Sequence, residues 1–256
     1  MSNELVEWIF LEDLDYNTAL ELQTVLHGKV SSFSSKYHGF LLLVEHKPVI
    51  TIGRFGNKNN ILLRDEELRE RGIGVYKTSR GGDVTYHGPG QLVGYPIINL
   101  KSLKLGVESY VNMLEKTLIG VLRNLGINGT TREDFPGVWT GGEKIAAIGL
   151  CIKNWTSMHG FSLNVTTDLE SFSMIIPCGI KGSGVTSIEK LLNQKIHQEE
   201  IAEMFAKEFG KTFNVCLEKN NSLNSPRKSI SESVTFTNLK GVEKVPYFIS
   251  SRLRGI

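Results

Sequence analysis

Two side chains of this sequence have the types and settings for nucleophilic attack and proton exchange, Cys178 and Lys144, and a histidine, His87, stands at a glycine-rich bend. Cys178 lies in IIPCGI (residues 175–180), between a proline and a glycine that exclude a regular helix. A cysteine on such a loop is either an inert structural thiol or an exposed one whose thiolate reacts as a nucleophile. Cys151, inside the apolar run 148–152, and Cys216, between Val215 and Leu217, read instead as small hydrophobes filling a core. Lys144 enters an apolar strand in GGEKIAAIG (residues 141–149). A lysine at a strand end commonly projects into solvent. If partly desolvated, it has a lowered pKa and can exchange a proton near neutral pH.

His87 belongs to the stretch on which the rest is organised, residues 80–99, RGGDVTYHGPGQLVGYPIIN. Gly81 and Gly82 allow positive φ and close backbone approach. Val84, Thr85 and Tyr86 favour extended backbone, Gly88, Pro89 and Gly90 break it, and residues 92–98 read as a buried strand. The expectation is a tight loop between two strands with His87 at the bend. Such a loop is a plain turn or the cradle of a ligand. It has no G-x-G-x-x-G opening a helix and no Gly-Lys-Ser/Thr, so it matches neither the dinucleotide nor the phosphate-loop pattern.

These residues need a scaffold, and 256 residues with 40% apolar content suit one large domain or one domain with an appendage. A net charge of +2 gives no sign of a nucleic-acid or anionic-membrane partner. Three cysteines without regular spacing argue against a disulfide framework, and no pair has zinc-ligand spacing, so no metal is expected. The opening MSNELVEW has neither the basic start nor the apolar core of a signal peptide. No apolar run approaches the ~20 residues of a membrane helix. A soluble cytoplasmic protein is expected.

Strands are predicted over 6–11, 40–45, 49–52, 75–77 and 92–98, with a helix after Asp15 and a charged one over 64–71 ended by Gly72. The clearest helix spans 107–125. Val107, Tyr110, Val111, Leu114, Leu118, Val121, Leu122 and Leu125 make one apolar stripe expected to pack in the core. Glu108, Asn112, Glu115, Lys116 and Arg123 lie opposite. Strands follow over 138–140, 144–152 and 160–165, then a helical turn over 167–172, helices over 188–192 and 199–209, and a last strand over 213–217. Residues 219–256 hold seven Lys/Arg and two Asp/Glu, leaving the first 218 residues at −3. They read as a basic linker and C-terminal extension to a domain of residues 1–218. Many strands among long helices predict an α+β or α/β fold around a mixed sheet.

The run RGG…T-x-HGPGQ…YP resembles the signature of the lipoyl(octanoyl) transferases, as does H-x-P-V-x-T-x-G-R at residues 46–54. Two further motifs match that family. Gly142, Lys144, Ile145, Ala146 and Gly149 fit G-x-K-I-A-x-x-G, and Pro177, Cys178, Gly179, Val185, Thr186 and Ser187 fit P-C-G…V-T-S. The resemblance spans about residues 6–218 and implies the α+β catalytic-domain fold of the biotin and lipoate protein ligases, mixed sheets with flanking helices. It implies an enzyme that takes an octanoyl group from octanoyl-acyl carrier protein, holds it as a thioester on Cys178 and passes it to a specific lysine of lipoyl domains. Those acceptors would sit in 2-oxoacid dehydrogenases and the glycine cleavage H protein. Lys144 would lower the pKa of Cys178 and shuttle its proton. The acyl pocket would map onto Arg80, Gly81, Gly82, Asp83, Val84, Thr85, Tyr86 and His87, onto Ala147, Ile148 and Gly149, and onto Gly160, Phe161 and Ser162. His87 would position the donor or help form the oxyanion hole. A thioester is already activated, so no cofactor is expected. An ATP-dependent ligase, a cysteine-dependent lipoyl amidotransferase or a non-catalytic scaffold for the same carriers remain alternatives.

Overall fold

The computed structural model describes residues 4–33, 35–133, 135–176 and 184–220. The predicted Pro177-Cys178-Gly179 segment and nearly all of the basic extension lie outside them. Chain order gives β1 (Leu5–Leu14), α1 (Tyr16–Ser31), β2 (Gly39–His46), β3 (Val49–Ile52), α2 (Asp65–Glu70), β4 (Gly74–Lys77), β5 (Val84–His87) and β6 (Gln91–Ile98). Then come α3 (Val107–Asn124), β7 (Gly137–Thr140), β8 (Glu143–Lys153), β9 (Thr156–Asn164), α4 (Ile188–Leu192), α5 (Gln198–Phe213) and β10 (Cys216–Lys219). The strands form a mixed seven-stranded sheet, β10-β1-β2-β6-β9-β8-β7, and a three-stranded one, β4-β3-β5. Among the described residues no helix is long and apolar enough to cross a membrane.

Sequence patterns explain the layers. β2 reads GFLLLVEH and is buried almost throughout, as a central strand covered on both faces should be. Its Leu41 and Leu43 join the large core beneath α3 and α5, while α1 packs on the opposite face against β6 and β9. Phe205, Phe209 and Phe213 recur every fourth residue of α5, one above another, and Phe205 packs with its ring tilted on Phe161 of β9, the centroids 4.3 Å apart. The small sheet encloses a second core in which Ile50, Ile52, Leu68, Val84, Tyr86 and Ile175 meet.

Several expectations are corrected. The last helix runs on to Phe213, because that ring continues the buried stripe, and Asn214 at φ +52 ends it. β10 therefore starts only at Cys216, and its thiol is exposed on an edge strand while Cys151 is half-buried. Neither fills a core. β9 begins at Thr156, four residues earlier than predicted, because Ser157 and Thr156 pair with Ile152 and Lys153 across a tight turn. In α3, Val107 is 48% exposed, and Glu115, predicted to face water, is buried.

Candidate active site

Arg80 locks the glycine-rich loop to the small sheet. Its Nη2 donates to the Thr51 carbonyl at 2.6 Å, to Thr51 Oγ1 at 2.9 Å and to the Asp83 carbonyl at 2.7 Å; Nη1 donates to the Gly81 carbonyl at 2.9 Å. The end of β3 answers, with Gly53 N donating to Asp83 O at 3.0 Å and Arg54 N to Arg80 O at 2.8 Å. Asp83 takes the backbone N–H of Asn57 at 2.9 Å and the side-chain amide of Asn60. Arg80 thus holds its own loop, and Asp83 ties that loop to the turn at Asn57 and Asn60. The loop in turn covers an open sheet edge: β7 pairs only as far as Ala147 of β8, and Gly81 N donates to Leu150 O at 2.8 Å beyond it.

The β7–β8 hairpin aims Lys144. Val138 pairs with Ala146, but the next residue, Trp139, pairs with Lys144, so Ile145 is bulged out of register. Ile145 and Ala146 both fall into the large core, while Lys144 and Ala147, three residues apart, both reach the cavity described below. Strict alternation would have put them on opposite faces. Gly137 makes room: it sits at φ +138, and a side chain there would come within 2.9 Å of Lys144 Cε. Glu115 of α3 secures this glycine by accepting its N–H at 2.9 Å, which explains the burial of that carboxylate.

Both flanks of residues 177–183 are tied to this frame. Before them, Ile176 N donates to Asn60 O at 2.8 Å, on the turn that Asp83 holds. After them, Lys144 N donates to Gly184 O at 2.9 Å and Thr186 N to Lys144 O at 3.0 Å, a short parallel bridge with Val185. A side-chain relay completes the connection. Asn164 Nδ2 donates to the carbonyl of Thr186 at 3.0 Å, Gln91 Nε2 donates to Asn164 Oδ1 at 2.9 Å, and His87 Nδ1 meets Gln91 Oε1 at 2.7 Å. The Thr186 carbonyl can only accept, which orients each amide in turn and requires His87 Nδ1 to carry the proton. His87 Nε2 is then the lone-pair nitrogen. It can accept a hydrogen bond but cannot donate one to an oxyanion.

A cavity of about 620 Å³ lies where these pieces meet, within the usual range for a small-ligand site. Its lining includes Arg80, Gly81, Gly82, Asp83, Thr85 and His87; Lys144, Ala147, Ile148 and Gly149; and Gly160, Phe161 and Ser162. Val84 and Tyr86 point the other way, into the small core, because alternate residues of β5 face opposite sides. The cavity also takes residues that sequence reasoning left out: His159, Tyr16, Val93, Tyr95 and Phe55, and Val107 and Val111, which were assigned to the core. The YP ending of the glycine-rich motif was the available signal for Tyr95. Cys178 lies outside the described residues.

Burial governs the histidines. His87 is pushed down to about 3, chiefly by loss of water and next by the neighbouring His46, and burial lowers His46 and His159 to about 4. All three are neutral at pH 7. Tyr95 donates to His46 Nε2 at 2.7 Å, since His46 Nδ1 is committed to the Leu14 carbonyl at 2.9 Å.

Residues 15–210 match the lipoyl protein ligase A/B catalytic domain. An octanoyltransferase of Caldicellulosiruptor saccharolyticus is 48% identical over 206 residues, covering 80% of this chain and 87% of its own. One from Clostridium kluyveri is 47% identical over 176 residues, 69% of this chain and 75% of its own. Among solved structures, a lipoate-protein ligase A bound with ATP superimposes with a TM-score of 0.65 at 17% identity, covering 86% of this chain and 89% of that one. A bipartite lipoate protein ligase from Thermoplasma acidophilum gives 0.64 at 16% identity over 86% and 87%. Those structural identities speak for the α+β fold alone. The sequence relationships go further: the chain belongs to the lipoyl protein ligase A/B catalytic-domain family and, within it, to the octanoyltransferases.

Proposed function

We propose that this chain moves an octanoyl group from acyl carrier protein to a specific lysine of a lipoyl domain through a thioester on Cys178. The observation that supports this most is the position of Lys144. It lines a largely apolar cavity, and its backbone docks Gly184 and Thr186, the return of the segment that carries Cys178. Proton exchange between thiol and amine gives a thiolate and an ammonium, which favour one another. The thiolate attacks the donor's thioester carbonyl; the carrier thiol leaves as its sulfur takes the proton from Lys144. In the second half, the acceptor lysine amine attacks the octanoyl carbonyl on Cys178, Lys144 takes the proton that amine sheds, and Cys178 leaves as a thiolate. Atoms and protons balance, and one activated bond is exchanged for a stable amide without ATP.

Ala147, Ile148, Val93 and Phe161 supply an apolar wall for the alkyl chain. Backbone N–H groups stabilise the tetrahedral oxyanion, because neutral His87 offers only a lone pair on its free nitrogen. On this reading the acceptors are the lipoyl domains of 2-oxoacid dehydrogenases and the glycine cleavage H protein, and the reaction is cytoplasmic. The test is transfer from octanoyl-acyl carrier protein to an unmodified lipoyl domain with ATP omitted. Wild type should acylate one lysine, and Cys178→Ala should not. Transfer that requires ATP, or that survives in Cys178→Ala, would overturn the reading.

A further inference from the structure

We infer that Trp139 is the positioning residue for Lys144, holding its ammonium over the indole face and so favouring its charged state, and that Arg132 on the same ring opposes it. The inference rests on the role proposed for Lys144. Trp139 is 1% exposed and sits directly across from Lys144 in the bulged register of β7 and β8, which puts both side chains on one face. Lys144 Nζ lies 5.1 Å from the ring centroid, and the guanidinium carbon of Arg132 lies 3.9 Å from it. Both distances are within the range of an attractive cation–ring contact. The indole N–H is buried with no hydrogen-bond partner among the described residues, a cost a phenylalanine would avoid. What the indole offers in exchange is the strongest cation-binding face of any side chain. Arg132, lying over the ring, also braces the hairpin: its Nη2 donates to Gly142 O at 3.3 Å in the turn that leads to Lys144.

Among the described residues, other charged groups on the cavity wall and around this hairpin are bonded to partners of their own. Arg80 and Asp83 line the same cavity, Arg80 bonded to Thr51 and its own loop and Asp83 to Asn57 and Asn60, and neutral His87 lines it too. Glu143 pairs with Lys190 at 3.2 Å, and Glu115 is bound to the Gly137 N–H. The ring and Arg132 act on Lys144 with opposite signs. An attractive face favours the ammonium, and a second cation disfavours it.

The test is trace acetylation of Lys144 against pH, read by peptide mass spectrometry, alongside the rate of octanoyl loading of Cys178 in a single turnover. Removing the ring in Trp139→Leu should move the labelling midpoint of Lys144 down by about half a unit to one unit and slow loading. Trp139→Phe should recover part of both. Removing the opposing charge in Arg132→Gln, an exposed position, should move the midpoint up. A ring that serves packing alone would lower thermal stability in Trp139→Leu and leave the midpoints of all three variants at the wild-type value, and that result overturns the inference. Should Trp139→Leu fail to fold, Arg132→Gln and Trp139→Phe still decide it by the direction of their shifts. Wild type that forms no Cys178 adduct at all would instead sink the proposed function.

Discussion

Replacing Arg80 with methionine separates a loop that is held by the protein from one that is held by its ligand. Methionine keeps much of the aliphatic stem and deletes the charge and the donors. Lost are the contacts to the Thr51 carbonyl and hydroxyl, to the Asp83 carbonyl and to the Gly81 carbonyl, all between 2.6 and 3.0 Å. Hydrogen bonds from a charged donor contribute about 1.5–3 kcal/mol each. Against that, the variant no longer has to desolvate a guanidinium that is 8% exposed, and Asp83 O keeps its bond from Gly53 N. A net loss of about 2–4 kcal/mol follows, a large part of the ~5–15 kcal/mol that usually holds a domain together. Urea unfolding at fixed pH measures it. Arg80→Lys should recover less than half, because an ammonium cannot reproduce the fork. Octanoyl loading in the folded fraction should also fall at least about tenfold, as the loop loses its grip on Leu150 and on the turn that anchors Ile176. Stability within ~0.5 kcal/mol of wild type, combined with lost loading, would refute the argument and make Arg80 a contact to substrate instead.

Two further outcomes follow from the same geometry. His46, His87 and His159 are all depressed when folded, so each binds a proton more readily once unfolded. Stability should be full above about pH 6.5 and be lost as pH falls from there toward about 4, by up to ~1.4 kcal/mol per pH unit for each histidine. Urea midpoints measured between pH 7.5 and pH 5 check this, and a flat profile contradicts it. Gly94→Ala would drive a methyl into the ring of Phe161, which Phe205 backs at 4.3 Å, so overpacking should cost about 1–3 kcal/mol. Phe161→Leu in the same chain should restore part of that loss; equal stability of Gly94→Ala and wild type would show that the wall yields.

The sequence made the frame legible wherever one pattern had one meaning. The apolar run of β2, the stripe of α3 and the glycine bend after His87 each admit a single local structure. Legibility failed where a side chain's neighbour comes from far along the chain. Val107 and Val111 carry the same periodicity as core residues, yet at the first turns of α3 the stripe runs past the sheet and meets the cavity. Glu115 reads as a surface charge because its partner, the Gly137 N–H, belongs to a different element. Period-two alternation could have removed Val84 and Tyr86 from the pocket, since they bracket Thr85 on β5. The bulge at Ile145 could not have been foreseen, and it is what brings Lys144 and Ala147 to one side.

The proposed transfer requires a thioester on Cys178 and a proton passed to and from Lys144. Intact mass, followed by peptide mapping, after incubation with octanoyl-acyl carrier protein and no acceptor tests it most directly. A single octanoyl group on the peptide bearing Cys178, forming more slowly in Lys144→Met and discharged by added lipoyl domain, is the predicted result. No adduct, or one carried on Cys151 or Cys216, would contradict it.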